Sequence, residues 1–267
     1  MGRDFEKLAA EAARTNLPYE RYLLTLVEQE VLQREQNTLK IRIKRAGFPV
    51  LKTLDTFDFN AAPAVPRQEV LQLADRSEWV TQAKNLLLCG NPGTGKTHLA
   101  IALGIGACRS GHRVRFFTAA HLVTAMAESQ AEHRLVRLQK QLDATDLVIV
   151  DELGYVSLSP EGPRLLFDFF ARRYERRSVL VTTNLEFSRW PEVLGGDEMM
   201  TGALIDRLTH HCTVLQINGE SYRFRQSRKS EALLKEIVND GKRRDRESPA
   251  IEARSKETEP AGSTIQS

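Results

Sequence analysis

Long apolar runs are missing from this chain of 267 residues. No stretch approaches the ~18 consecutive apolar residues that a membrane span requires. The opening segment MGRDFEKLAAEAAR is charged and helical rather than leader-like, so the expected compartment is the cytoplasm, with no membrane partner. Cysteine is scarce as well: Cys89, Cys108 and Cys212 lie far apart without CxxC spacing, so neither a disulfide framework nor a zinc site is suggested and they read as small core residues. A dominant charge of one sign is also absent, since 38 Lys and Arg stand against 35 Asp and Glu, for a net charge of +3. No internal repeat and no helix-turn-helix pattern is evident.

What is present is enough for one substantial α/β core with appendages, at 41% hydrophobic and 27% charged residues. Leu8, Ala12, Leu23, Leu26, Val27, Val31 and Leu32 recur at helical spacing, and Gly47 with Pro49 ends the run, which predicts a small all-helical N-terminal domain over 1–52. A connector follows with Pro63, Pro66 and the paired aromatics Phe57 and Phe59. Strand-like runs then alternate with helical ones: LLLCG, VRFF at 114–117, LVIVDE at 147–152, VLVTTN at 179–184 and TVLQI at 213–217. Such alternation predicts a parallel sheet with helices on both faces over 53–220. A basic segment occupies 221–246. The remainder, 247–267, is poor in large apolar groups and is expected to be disordered.

The stretch LCGNPGTGKTHLAIAL carries the first chemistry. Gly90, Gly95, Lys96 and Thr97 match the spacing of a phosphate-binding P-loop, with the required strand before it and helix after it. Glycines let the backbone aim several N–H groups at one anion, and the helix N-terminus adds partial positive charge there. Lys96 then reaches the β and γ phosphates and Thr97 holds Mg²⁺. The chain is therefore expected to bind a nucleoside triphosphate.

At the end of the LVIV strand stand Asp151, suited to Mg²⁺, and Glu152, suited to polarising the water that attacks the γ-phosphate. Adjacent acids there favour hydrolysis over transfer to an acceptor. VLVTTN ends in Thr182, Thr183 and Asn184; the amide of Asn184 can orient water or sense the γ-phosphate, while the plainer role is capping the next helix. Arg207, on a short helix before the last strand, can act as a guanidinium supplied to a neighbour's γ-phosphate or pair locally with Asp206. His210, His211 and Cys212 hint at a metal, but consecutive residues point in different directions, so core and surface roles are expected.

Together these elements resemble the AAA+ ATPases, and more narrowly the IstB-like helper ATPases of bacterial insertion sequences, relatives of the DnaC helicase loaders. The resemblance covers about residues 5–230 and rests on GNPGTGKTHLA, LVIVDELGY, VLVTTN, FSRWPEVLGGDEMMTGALIDRLTHHC and NGESYRFR. It implies an AAA+ P-loop NTPase core with Gly90, Asn91, Pro92, Gly93, Thr94, Gly95, Lys96, Thr97 and His98 around ATP. It also implies Thr97 and Asp151 at Mg²⁺, Glu152 with Asp151 as the Walker B pair, Asn184 as first sensor and Arg207 as arginine finger. Members of this family assemble on DNA as ATP-dependent oligomers and cooperate with a transposase. A second-sensor arginine is not evident; Arg223 and Arg225 are the nearest residues for that role.

The charge is unevenly placed. Residues 34–52 hold six Lys or Arg against one acid, and 222–246 hold nine against four. Leu32, Leu39, Ile43 and Ala46 can share one helical face and leave Arg34, Lys40, Arg42, Lys44 and Arg45 over the others. That cationic helix suits DNA phosphate, although an ordinary solvated face gives the same pattern. ARRYERRS at 171–178 adds further cations. Three functions fit to different degrees. A transposition helper on double-stranded DNA, working as a homo-oligomer with its element's transposase, fits best. A DnaC-type loader shares the core. A metabolic P-loop kinase would need an acceptor site and a cationic lid that the chain does not display.

Overall fold

The computed structural model describes residues 5–155 and 160–222, with positions 224 and 227 beside them. Five strands form one sheet in the order β2-β3-β4-β1-β5. They are β1 (Asn85–Cys89), β2 (Val114–Thr118), β3 (Leu147–Leu153), β4 (Ser178–Thr183) and β5 (Cys212–Gln216), and every pairing is parallel. Parallel neighbours require crossover connections, and helices supply them. The helices are α1 (Phe5–Arg14), α2 (Tyr19–Ala46), α3 (Arg67–Arg76), α4 (Glu78–Thr81), α5 (Lys96–Arg109), α6 (Ala119–Ala131), α7 (Leu135–Asp143), α8 (Gly162–Arg173), α9 (Trp190–Val193) and α10 (Glu198–Thr209). None is long and apolar enough to cross a membrane among the described residues.

The unbroken apolar strands follow from this layering. Alternate residues of a strand face opposite sides, and both sides are covered. Leu86, Leu88, Leu147, Ile149 and Leu180 pack with α3, α4 and α5 in one cluster. Leu87, Val148, Val150, Val179 and Val181 pack with α6, α7, α8 and α10 in the other. Cys108 is buried, and burial pushes its thiol up to about 11, that of Cys89 to about 11 and that of Cys212 to about 12. These thiols stay protonated and act as core residues, as their spacing suggested.

Helix α2 ends at Ala46, where Gly47 takes φ 74°, a left-handed cap that glycine adopts without strain. Its last turns join the core: Ala46 is fully buried, and Leu39, Ile43 and Phe48 pack against the α5 side of the sheet. Leu32 does not share that contact and is 56% exposed, as are Leu23, Val27 and Val31 to similar degrees. The expected apolar face is therefore covered only over its final turns. Residues through Tyr222 group as one unit. The basic segment beyond it, with Arg223, Arg225 and the expected disordered tail, lies outside the described residues except for Phe224 and Ser227.

Candidate nucleotide site

All strands run the same way, so their carboxyl ends meet at one edge, and the sequence-predicted residues of loop 90–95, β3 and β4 converge there. Gly90 adopts φ 145°, Gly93 φ 78° and Gly95 φ 96°. At Gly90 a Cβ would lie 1.9 Å from the Ile217 carbonyl oxygen, because the chain leaving β5 crosses here with Ile217 N–H donating to Cys89 O at 2.7 Å. The glycine is required by that close approach as well as by the turn. Thr94 Oγ1 donates to Asn91 O at 2.9 Å and holds the loop closed, while Asn91 and Pro92 face solvent. Helix α5 begins at Lys96, so its first N–H groups open onto the loop, where an anion satisfies them. Lys96 Nζ donates to Gly90 O at 2.8 Å and Asn91 O at 2.7 Å, which holds the ammonium against the loop.

The acidic pair is shaped by a bulge. Val150 pairs with Val181 and Leu153 with Thr183, leaving Asp151 and Glu152 opposite Thr182 alone. Two residues against one turn successive side chains out of strict alternation. Asp151 points inward, 3% exposed, and its Oδ1 accepts from the hydroxyls of Thr97, at 3.1 Å, and Thr182. Thr182 Oγ1 in turn accepts from Glu152 N–H at 2.9 Å. Glu152 takes φ 61°, an uncommon conformation for a residue with a Cβ. Its exposed carboxylate makes no hydrogen bond or ion pair among the described residues. Burial pushes the Asp151 carboxyl above its usual range, opposed by the hydrogen bonds from Thr182 and Thr97 and by the nearby Lys96 charge. A buried carboxylate beside a threonine hydroxyl is a donor set that fits a hard divalent cation.

Asn184 follows β4 at the same edge, half-buried, and Thr183 Oγ1 donates to Leu153 O at 2.8 Å, tying this strand end to β3. Arg207 lies elsewhere. From α10 its guanidinium stacks 4.6 Å over the Phe167 ring of α8, and its buried Nη1 has no hydrogen-bond partner among the described residues. The local ion pair with Asp206 is not formed among the described residues.

A family model described as IstB-like ATP binding protein matches residues 1–230. The chain belongs to the IstB-like ATP-binding family. Among its relatives, the ATP-binding protein of insertion sequence IS21 from Pseudomonas aeruginosa is 40% identical over 86% of this chain and 86% of its own length. That of insertion sequence IS5376 from Geobacillus stearothermophilus is 35% identical over 88% of this chain and 93% of its own. Two solved structures share the fold at low identity. AMPPCP-bound DnaA from Aquifex aeolicus has a TM-score of 0.52 at 19% identity, covering 69% of this chain and 56% of that one. DnaI has a TM-score of 0.52 at 16% identity, covering 62% and 90%. The α/β AAA+ P-loop architecture expected from the motifs is the one observed, and ATP is the family's nucleotide.

Three contacts of this IstB-like core were not read from the sequence. Phe57, from the connector, packs so closely on the loop that a Cβ at Gly95 would lie 2.7 Å from its Cε2. It stacks edge-on against Phe59 at 4.8 Å and His98 at 5.1 Å. His98 is thereby engaged with the connector: its Nε2 lies 2.9 Å from Thr53 O and 3.3 Å from Thr56 Oγ1, and burial lowers its pKa. Tyr222 N–H donates to Gly93 O at 2.9 Å, so the chain after β5 lies along the loop. The aromatic pair in a polar connector was the available signal for the first of these.

The basic residues divide by environment. Lys40, Lys44 and Arg45 are exposed on α2, Arg34 pairs with Glu30 at 2.7 Å while 77% exposed, and Arg42 is half-buried beside the turn after α5. The cluster at 171–178 is largely structural. Arg173 is 2% exposed and donates to the carbonyls of Leu142, Thr145, Asp146 and Ser178. Desolvation lowers its pKa to about 10. Arg172 is bonded to Asp143 and Arg177 faces Asp146. These arginines join α7, α8 and β4, and the run is not a free cationic surface.

Proposed function

We propose that this protein is an ATPase that assembles as a homo-oligomer on double-stranded DNA in the cytoplasm and regulates the transposase of its own insertion sequence. The pairing at the end of β3 carries the proposal: buried Asp151 bonded to Thr97 and Thr182, beside an exposed Glu152 whose carboxylate has no partner among the described residues. Thr97 and Asp151 would hold Mg²⁺, which when bound offsets phosphate charge. Glu152 accepts a proton from the attacking water, and Asn184 orients that water. Backbone N–H groups of the loop and Lys96 hold the phosphates. Arg207, stacked on Phe167 of α8, serves the site of the next subunit. The insertion-sequence names of the relatives support the transposase as partner.

Lys96→Ala is expected to weaken ATP binding by about 1.5 to 3 kcal/mol, roughly ten- to a hundredfold, because a charge-assisted contact to the triphosphate is lost. Nucleotide titration reads this directly; unchanged affinity would remove loop 90–97 from phosphate binding.

DNA binding through Lys40, Lys44, Arg45, Arg34 and Arg42 rests on backbone contacts with weak sequence preference. With ~6 to 10 phosphates contacted, affinity falls about 10³ to 10⁵ between 50 and 200 mM salt, cooperatively and only with ATP present. A flat salt response would overturn the backbone-contact arrangement. Co-purification with the element's transposase supports the helper function, whereas retention on a replicative helicase in its place would assign a DnaC-type loader.

A further inference from the structure

A second group of ligating side chains lies at the opposite edge of the sheet. Glu175 precedes β4 and His210 with His211 precedes β5, so all three gather at the amino ends of the strands, away from loop 90–97. The Glu175 Oε1 atom is 3.6 Å from His211 Nε2 and 3.7 Å from His210 Nδ1, and the three ligand atoms lie within 4.8 Å of one another. At these separations neither imidazole is hydrogen-bonded to the carboxylate. An ion pair would need a protonated ring. A cation between the three atoms satisfies all of them with neutral imidazoles.

We propose that Glu175, His210 and His211 form a binding site for a divalent transition cation of the zinc class. Nitrogen donors from two imidazoles with one carboxylate suit such an ion, and not the all-oxygen set that magnesium takes. Bond lengths of about 2.0 to 2.2 Å put tetrahedral ligand atoms about 3.3 to 3.6 Å apart. The two Glu175 edges need to close by only a few tenths of an ångström, and the edge between the imidazole nitrogens, within 4.8 Å, by at most about 1.5 Å. All three side chains are about half exposed, which leaves an entry path and a fourth position for water.

The backbones that carry these ligands are already fixed relative to each other. One residue, Asn85, does much of this: its N–H donates to His211 O at 2.7 Å, its Nδ2 to Leu208 O at 3.0 Å, and its Oδ1 accepts from Val179 N–H at 3.0 Å. On the other side, Arg173 bonds Ser178 O and closes the turn that holds Glu175, which takes φ 56°. Consecutive residues of a regular element diverge, but past the terminus of α10 both rings come to one side, with centroids 4.2 Å apart. Tyr174 Oη lies 3.0 Å from His210 Nδ1 and releases that nitrogen when the metal enters. Arg207 stands one helical turn before the pair, so the cation also ties down the end of the helix that carries it.

The test uses the full-length protein without nucleotide, titrated with Co²⁺ in excess Mg²⁺ to fill hard-oxygen sites and followed by visible absorption, with Zn²⁺ as competitor. One equivalent of cobalt should bind with d–d bands and no thiolate charge-transfer band, and Zn²⁺ should displace it. Glu175→Gln, His210→Gln and His211→Ala should each abolish the signal. Melting of the metal-free variants checks that these exposed substitutions leave the fold intact, and a variant that does not fold is set aside for the other two. Absence of saturable binding, a thiolate band, or binding retained in folded Glu175→Gln and His210→Gln proteins would each overturn the site. None of these outcomes bears on ATP hydrolysis, which is measured separately.

Discussion

Glu152→Gln is expected to retain ATP and DNA while its turnover falls by about 10² to 10⁴. The substitution keeps size and polarity but removes the carboxylate that accepts a proton from water. Position 152 is held by its backbone, through Glu152 N–H to Thr182 Oγ1 and the bulge opposite Thr182, so the change leaves the strand pairing in place. Asp151 keeps its bonds to Thr97 and Thr182, and Lys96 keeps its contact with the loop proposed to hold the phosphates. Nucleotide affinity and thermal stability should therefore match the unsubstituted protein. Steady-state hydrolysis near the original rate would remove Glu152 from the mechanism.

Arg207→Ala should bind ATP normally yet lose about 10³ to 10⁵ in hydrolysis, because the missing charge belongs to a neighbour's transition state. In one subunit the guanidinium rests on Phe167 with Nη1 unbonded among the described residues, an arrangement with donor capacity to spare. Mixing the variants is decisive. An Arg207→Ala subunit keeps its own Asp151 and Glu152, and a Glu152→Gln subunit keeps its own Arg207, so a mixed assembly contains some interfaces with a complete composite site. Activity should appear in the mixture although each variant alone is inactive. If Arg207 serves only to pack on α8, the variant should melt at lower temperature and mixing should restore nothing. Loss of the stacking contact alone is worth about 0.5 to 2 kcal/mol, so melts beside the mixing assay separate the two roles.

The loop and the acids could be read from short stretches because their requirements are local. Gly93 and Gly95 answer a backbone need within the loop itself, and a strand followed by a lysine-bearing helix start is a pattern of adjacent residues. The alternation of apolar runs and helical spacing likewise implied a parallel layered sheet, since each strand must be covered on both faces. The run ARRYERRS shows the limit. Its composition is that of a cationic surface, yet Arg173 is buried under four carbonyls at a junction of α7, α8 and β4. Charge along a sequence carries no information about which side of a helix meets the core once several cations are adjacent.

By itself the sequence determined the spacing of the P-loop motif and the adjacent acids after an apolar strand, the order of strands and helices along the chain, and the family to which they belong. Only the tertiary structure decided that Thr182 links Asp151 to Glu152, that Gly90 must lack a side chain because Ile217 crosses it, that Phe57 packs on Gly95, and that Glu175 meets the two histidines. Each of these joins segments far apart in the chain. Their meeting depends on the spatial order β2-β3-β4-β1-β5 and on a two-against-one register at the end of β3. Period-2 and period-3.6 patterns specify which face of an element is buried, but not which element lies beside it. That choice is made by packing, when the crossovers close.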